Sequence, residues 1–301
     1  MKLLVALDGS TGSDAVVREI TSRPWPADSE CCLLTAIDPF FFTKAPLLLA
    51  EAKSSAQETL RESTEALKNA GLKVSTEVLL ENPRHGIPKA ACDWGADLIV
   101  MGSHGKGAFG RLLMGSTAQA VLRHAECSVE IVREAPKKMR SEAGTFRLLA
   151  ATDGSEHAEA TMRSIAQRPW PGGTEICVVS VPDLPLIAGP YPYYPPEVLR
   201  EAAKTNEDHA RDAVQKGVGA LEKAGLRVSG EATEAQESPV RGILGMADSW
   251  GANLIVLGSH GRRGFDRYVM GSVSEAVALH AHCSVEVVRT KPSNKENRNN
   301  K

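Results

Sequence analysis

Short apolar runs alternate with longer amphipathic stretches along the whole chain. Residues 2–7 are apolar and stop at Asp8-Gly9-Ser10, which predicts a buried strand and a turn. Residues 13–22 predict a helix that Pro24-Trp25-Pro26 ends, because proline lacks an N–H and clashes with the preceding turn. Residues 31–37 predict a second strand, 47–70 a long helix stopped by Gly71, and 72–80 a third strand. Residues 84–94 predict a helix, 96–101 a fourth strand, 116–124 a helix and 128–133 a last strand. Apolar strands that alternate with helices predict an α/β fold, a parallel sheet covered on both faces with right-handed crossovers.

The same series then runs a second time. LLVALDGSTGSDA at 3–15 matches LLAATDGSEHAEA at 148–160, and SRPWPADSE at 22–30 matches QRPWPGGTE at 167–175. LKNAGLKVS at 67–75 matches LEKAGLRVS at 221–229, and DWGADLIVMGSHG at 93–105 matches SWGANLIVLGSHG at 249–261. A period of about 150 residues is a domain duplication, not a solenoid. Asp8 and Asp153 lie 145 positions apart but Gly102 and Gly258 lie 156 apart, so the second copy carries extra residues between them. The Pro- and Tyr-rich stretch 182–197 is where most of them fall. The polar segment 134–145 predicts a linker, and 290–301, which lacks apolar residues, predicts a disordered tail.

A length of 301 residues suits two domains of ordinary size. A formal net charge of -2 gives no electrostatic case for nucleic acid or an acidic membrane as the main partner. No apolar run approaches the roughly 20 residues of a membrane span, and the apolar start is too short for a signal peptide. The six cysteines avoid C-x-x-C spacing and mostly sit in apolar segments, as reduced, buried thiols in a cytoplasmic protein would.

The candidate chemistry lies after the fourth strand of each copy. MGSHGKGAFGRLLMGS at 101–116 and LGSHGRRGFDRYVMGS at 257–272 share the spacing G-x-x-G-(nine residues)-G-S. A strand that ends in glycines and runs into a helix suits a phosphate. Backbone N–H groups can approach closely, and the helix start offers unpaired N–H groups and the positive end of the dipole. Neither the P-loop nor the dinucleotide fingerprint is present. In an open α/β sheet ligands bind beyond the strand carboxyl ends where the strand order reverses. If the first and fourth strands are neighbours, Asp8 shares a crevice with the glycine loop, and Asp153 does so in the second copy. Such an aspartate can accept hydrogen bonds from both hydroxyls of a ribose. Lys106, Arg111, Arg262, Arg263 and Arg267 in the spacers can neutralise phosphate or be solvated loop charges. His104 and His260 can hydrogen-bond the loop, contact phosphate or act as a general base.

On these motifs, with HAECSVEIVR and HAHCSVEVVR, the chain resembles two tandem universal stress protein domains, at 1–133 and 146–289. The resemblance implies two open five-stranded parallel sheets of order 3-2-1-4-5 with helices on both faces, paired about a pseudo-twofold axis through their last strands. It implies ATP, or ADP or AMP, with Mg²⁺ held mainly by phosphates and water. Carried over by residue, it implies that Ala6, Leu7 and Asp8 form the ribose end and that Ala36 contacts adenine. Met101, Gly102, His104 and Gly105 open the phosphate loop, and Gly115, Ser116 and Thr117 close it. The second copy offers Ala151, Thr152 and Asp153, then Val181, then Leu257, Gly258, His260 and Gly261, then Gly271, Ser272 and Val273. Val273 lacks the hydroxyl of Thr117, which Ser274 is placed to replace. Ser128 and Ser284 stand where many members have proline. The insertion at 183–196 follows Val181 and is placed to cover the second site. The implied role is a cytoplasmic regulatory stress-response protein, able to form a homodimer of the two-domain chain. A slow ATPase or nucleotide-dependent transferase, and a nucleotide-free interaction module, are the alternatives.

Overall fold

The structure is a computed structural model that describes residues 1–105, 114–133, 144–182, 195–234, 238–261 and 270–290. Residues 134–143 of the expected linker, 183–194 of the insertion and 291–301 of the tail lie outside them. The first half runs β1 (Lys2–Ala6), α1 (Thr11–Thr21), β2 (Glu30–Ala36), α2 (Pro46–Asn69), β3 (Lys73–Leu79), α3 (Pro83–Trp94), β4 (Leu98–Gly102), α4 (Ser116–His124) and β5 (Ser128–Val132). The second repeats it as β6 (Arg147–Ala151), α5 (Glu156–Ala166), β7 (Glu175–Ser180), α6 (Pro196–Glu222), β8 (Val228–Ala232), α7 (Pro239–Trp250), β9 (Leu254–Gly258), α8 (Ser272–His280) and β10 (Ser284–Val288). Local chemistry sets the boundaries of α3 and α7 alike. Each has proline in its first turn and a cap, Asn82 or Ser238, whose side chain accepts from the backbone N–H of Arg84 or Arg241. Each ends on a left-handed glycine, Gly95 at φ 74° or Gly251 at φ 71°.

Within each half the strand order is the expected one, but two separate five-stranded sheets do not form. The strands join one ten-stranded mixed sheet of order β3-β2-β1-β4-β5-β10-β9-β6-β7-β8. The join is antiparallel, with Ile131 opposite Val285, Glu130 opposite Glu286 and Val129 opposite Val287. The physical reason is that an open edge on β5 or β10 would leave a row of unpaired backbone groups, and joining them also unites Val129, Ile131, Val285 and Val287 in one core. Ser128 and Ser284 lengthen the seam, accepting from the backbone N–H of Arg289 and Arg133 at 3.1 Å each. A proline there would have no hydroxyl to offer.

The apolar core is distributed unequally over the two faces. Beneath α3, α4, α7 and α8 one cluster runs without a break across both halves, through Val129, Ile131, Val285 and Val287. On the other face it divides into one cluster around Leu33, Val16 and Leu67 and another around Leu148, Ile165 and Leu221. Between those two lies a buried charged group. The Arg168 guanidinium makes two parallel bonds of 2.9 Å to Glu286, and Arg23 pairs with Glu130. Arg23 stacks 4.6 Å from the Trp25 ring and Arg168 5.1 Å from Trp170. The repeated Arg-Pro-Trp-Pro segments thus anchor the centre of the sheet.

Candidate functional site

β1 and β4 are neighbours, with Ala6 level with Met101, and β2 lies on the far side of β1. The strand order therefore reverses between β1 and β4, and likewise between β6 and β9. A cleft of about 450 Å³ opens at the first point and one of about 440 Å³ at the second. Because β5 and β10 are antiparallel, the two clefts open at opposite ends of the sheet.

Every residue expected at the first site lines the first cleft: Ala6, Leu7, Asp8, Ala36, Met101, Gly102, His104, Gly105, Gly115, Ser116 and Thr117. The second cleft is lined by all of its counterparts, Ala151, Thr152, Asp153, Val181, Leu257, Gly258, His260, Gly261, Gly271, Ser272 and Val273. The spacer cations Lys106, Arg111, Arg262, Arg263 and Arg267 lie outside the described residues.

The motif glycines stand in tight space, not at special backbone angles. Gly115 has φ −63° and Gly271 φ −65°, angles open to any residue. A Cβ on Gly271 would lie 3.0 Å from the Ser259 carbonyl oxygen, one on Gly102 3.3 Å from that of Gly12, and one on Gly261 2.6 Å from Asp153 Oδ2. Gly105 stands against Asp8 Oδ2 in the same way. The loop is closed by Gly115 N–H donating to Ser103 O, and Gly271 N–H to Ser259 O, each at 2.8 Å. That closure sets the first turn of α4 or α8 on the lining of the cleft that also holds the aspartate. Among the described residues no side chain caps either helix start, which leaves N–H groups there to meet an anion.

Asp8 is held in a tight turn. Its Oδ1 accepts from Ser10 N–H at 3.0 Å and from the Ser13 hydroxyl at 3.0 Å. Asp153 Oδ1 accepts from Ser155 N–H at 3.0 Å. His104 Nδ1 lies 2.9 Å from Ser103 Oγ, and its buried Nε2 has no partner among the described residues. Burial first, and the nearby Arg133 charge second, lower the His104 pKa from its ordinary value, so this imidazole is neutral at physiological pH. Ser274 Oγ donates to Gly258 O at 2.6 Å, so it lines the second cleft with its proton already engaged. Among the described residues no group of three or more His, Cys, Asp or Glu is placed to hold a metal ion.

Sequence reasoning missed part of the lining. Pro83 and Ile87, with Pro239 and Ile243, form the cleft wall beside Ala36 and Val181. The signal was available, since Pro-x-x-Gly-Ile recurs at 83–87 and 239–243. The glycine has a reason, because a Cβ on Gly242 would lie 2.8 Å from Val181 Cγ2. Ser13, also on the lining, carried no such signal, since Ala158 replaces it in the second copy.

A sequence model of the universal stress protein family matches residues 1–133 and again 145–289. The chain belongs to the universal stress protein family. A stress-response role follows from that membership. A universal stress protein of Mycolicibacterium smegmatis is 26% identical over 95% of this chain and 96% of its own length. One from Methanocaldococcus jannaschii is 32% identical over 46% of this chain and 84% of its own, as a single-domain relative would be. A crystal structure of an Archaeoglobus fulgidus universal stress protein covers 96% of this chain and 98% of its own at a TM-score of 0.65 and 20% identity, which speaks to the shared fold. Among the described residues no helix is long and apolar enough to cross a membrane.

Proposed function

We propose that each half of this universal stress protein binds an adenine nucleotide, ATP with Mg²⁺, and that the chain is a cytoplasmic regulatory binder without fast turnover. One observation carries the reading. Twice in one chain, a strand-end aspartate and a helix start behind a glycine loop line a single cleft. The aspartate suits ribose hydroxyls, the helix start suits phosphates, and the apolar wall of Ala36, Pro83 and Ile87 suits a base. Each volume is within the range of roughly 300–1,000 Å³ usual for small-molecule sites. The described residues supply few carboxylates near the loop, so Mg²⁺ would be held by phosphate oxygens and water.

Titration of nucleotide-stripped protein with MgATP tests this. The expected result is saturation at two equivalents per chain, with one equivalent lost in Asp8→Ala and both in the Asp8→Ala, Asp153→Ala double variant. At a ligand concentration near 100 times Kd each filled site adds about 2.7 kcal/mol of stability, read as a rise in Tm. No binding, with an unmoved Tm, refutes the proposal and favours an interaction module. A second reading, slow ATP hydrolysis, is favoured by the half-buried His104 in the loop, whose Nε2 has no partner among the described residues. Recovery of ADP instead of ATP from freshly purified protein, reversed in His104→Ala, would establish it.

A further inference from the structure

The two clefts share their motif but not their chemistry behind the aspartate. Ser13 is 6% exposed and sits in the first turn of α1, on the wall of the first cleft. Its hydroxyl accepts from the backbone N–H of Asp8 at 2.9 Å and of Gly9 at 3.1 Å. It donates to Asp8 Oδ1 at 3.0 Å. A serine hydroxyl has one proton and two lone pairs, so with both lone pairs occupied its proton has one destination. Ser13 thereby fixes one carboxylate oxygen and the rotation of the group, and leaves Oδ2 turned toward Gly105.

In the second half the equivalent position is Ala158, which has no hydroxyl. The backbone is rewired accordingly. Gly154 N–H turns to Thr152 Oγ1 at 3.2 Å, and Ser155 Oγ caps α5 by accepting from Ala158 N–H at 3.3 Å. In the first half Ser10, the equivalent of Ser155, makes no side-chain cap. The neighbouring position differs too. Gly12 lets α1 descend onto the loop, where a Cβ would lie 2.7 Å from the His104 carbonyl oxygen. Its counterpart, His157, instead packs its ring 5.1 Å from that of His260.

We infer that Ser13 is a positioning residue that orients Asp8 toward ribose hydroxyls, making the first cleft the tighter and more ribose-selective of two unequal nucleotide sites. The inference rests on the nucleotide reading proposed above. A carboxylate that is already oriented binds without the cost of being ordered, and a ligand lacking the matching hydroxyl forfeits a charge-assisted bond. The first cleft therefore discriminates ATP from 2′-deoxy-ATP by about tenfold, and the second by about threefold or less.

Calorimetric titration of the full chain, with each nucleotide and Mg²⁺, is the test. ATP is expected to give two phases, the tighter one absent in Asp8→Ala. Ser13→Ala is expected to bring the ATP to 2′-deoxy-ATP ratio of the tight phase down to that of the weak one. Ala158→Ser is expected to raise the ratio of the weak phase, a gain that a merely structural role for the hydroxyl would not produce. Two identical phases in the wild type, or ratios unmoved in both variants, overturn this inference and leave the nucleotide proposal standing. Failure to bind either nucleotide overturns both.

Discussion

Glu130 is subject to opposing influences at the centre of the sheet. Burial pushes its carboxyl up, Arg23 pulls it down, and Glu19 and Glu286 push it up again, with the result near 7. Burial also works against the Arg23 charge, but Glu130 and Glu19 outweigh it and hold that pKa above its usual range. An unfolded glutamate loses its proton near about pH 4.3. Between there and pH 7 the folded chain holds a proton that the unfolded chain has released. The stability this contributes is complete at the acid end and is lost as the pH rises through 7. Glu130→Gln, neutral at every pH, should shrink the fall in Tm between about pH 5.5 and 8 by roughly 3 °C or more. An equal fall in both proteins would refute it. Little of this was legible in the sequence. Arg-Pro-Trp-Pro was visible as a repeat, but its pairing spans more than a hundred residues, from Arg23 to Glu130 and from Arg168 to Glu286. The cleft motifs were legible because a strand end, a glycine loop and a helix start are contiguous. Ser13 was not, since its role depends on a side-chain direction that a helix-start serine does not announce.

At the scale of elements, the helices next to the seam are completed by the opposite half. Arg133, after β5, donates to the Ala278 and Leu279 carbonyls at the end of α8. Arg289, after β10, donates to those of Leu122 and Arg123 at the end of α4. A guanidinium there satisfies orphan carbonyls and complements the negative end of the helix dipole. Arg123 Nε also reaches Glu275 of α8 at 2.7 Å. That bridge is largely exposed and contributes little. Arg133→Ala should therefore cost about 1–2 kcal/mol in chemical denaturation, and Arg123→Ala under about 1 kcal/mol. Equal effects would contradict the distinction. The elements themselves were legible to within a residue or two. α4 begins and ends where the pattern places it, because Gly115 and the apolar stripe mark both limits. α1 starts at Thr11, two residues early, because the turn at Asp8 to Ser10 leads directly into the helix.

At the scale of the molecule, periodicity describes each copy and is silent on what its last strand pairs with; the family resemblance implied contact through the last strands, but not the merging of both sheets into one of ten strands. Without β10, the edge of β5 would expose a row of unpaired backbone groups beside Val129 and Ile131. The first half alone, residues 1–133, should therefore self-associate through β5, placing Glu130 opposite Glu130. Sedimentation should find a dimer, and Ile131→Lys should return it to a monomer. A wild-type half that sediments as a monomer would refute this. In the intact chain that surface is already occupied by its own second half.

The antiparallel seam also fixes how a filled chain is presented to its surroundings. Its two mouths open at opposite ends of a single ten-stranded sheet. If the proposed nucleotides fill both mouths, a partner that recognised a filled mouth would meet one at each end of the sheet, and two such partners could be joined through one chain. If the mouths fill at different nucleotide concentrations, the number of contacts a chain can make changes from one to two, and a graded signal becomes a change in connectivity.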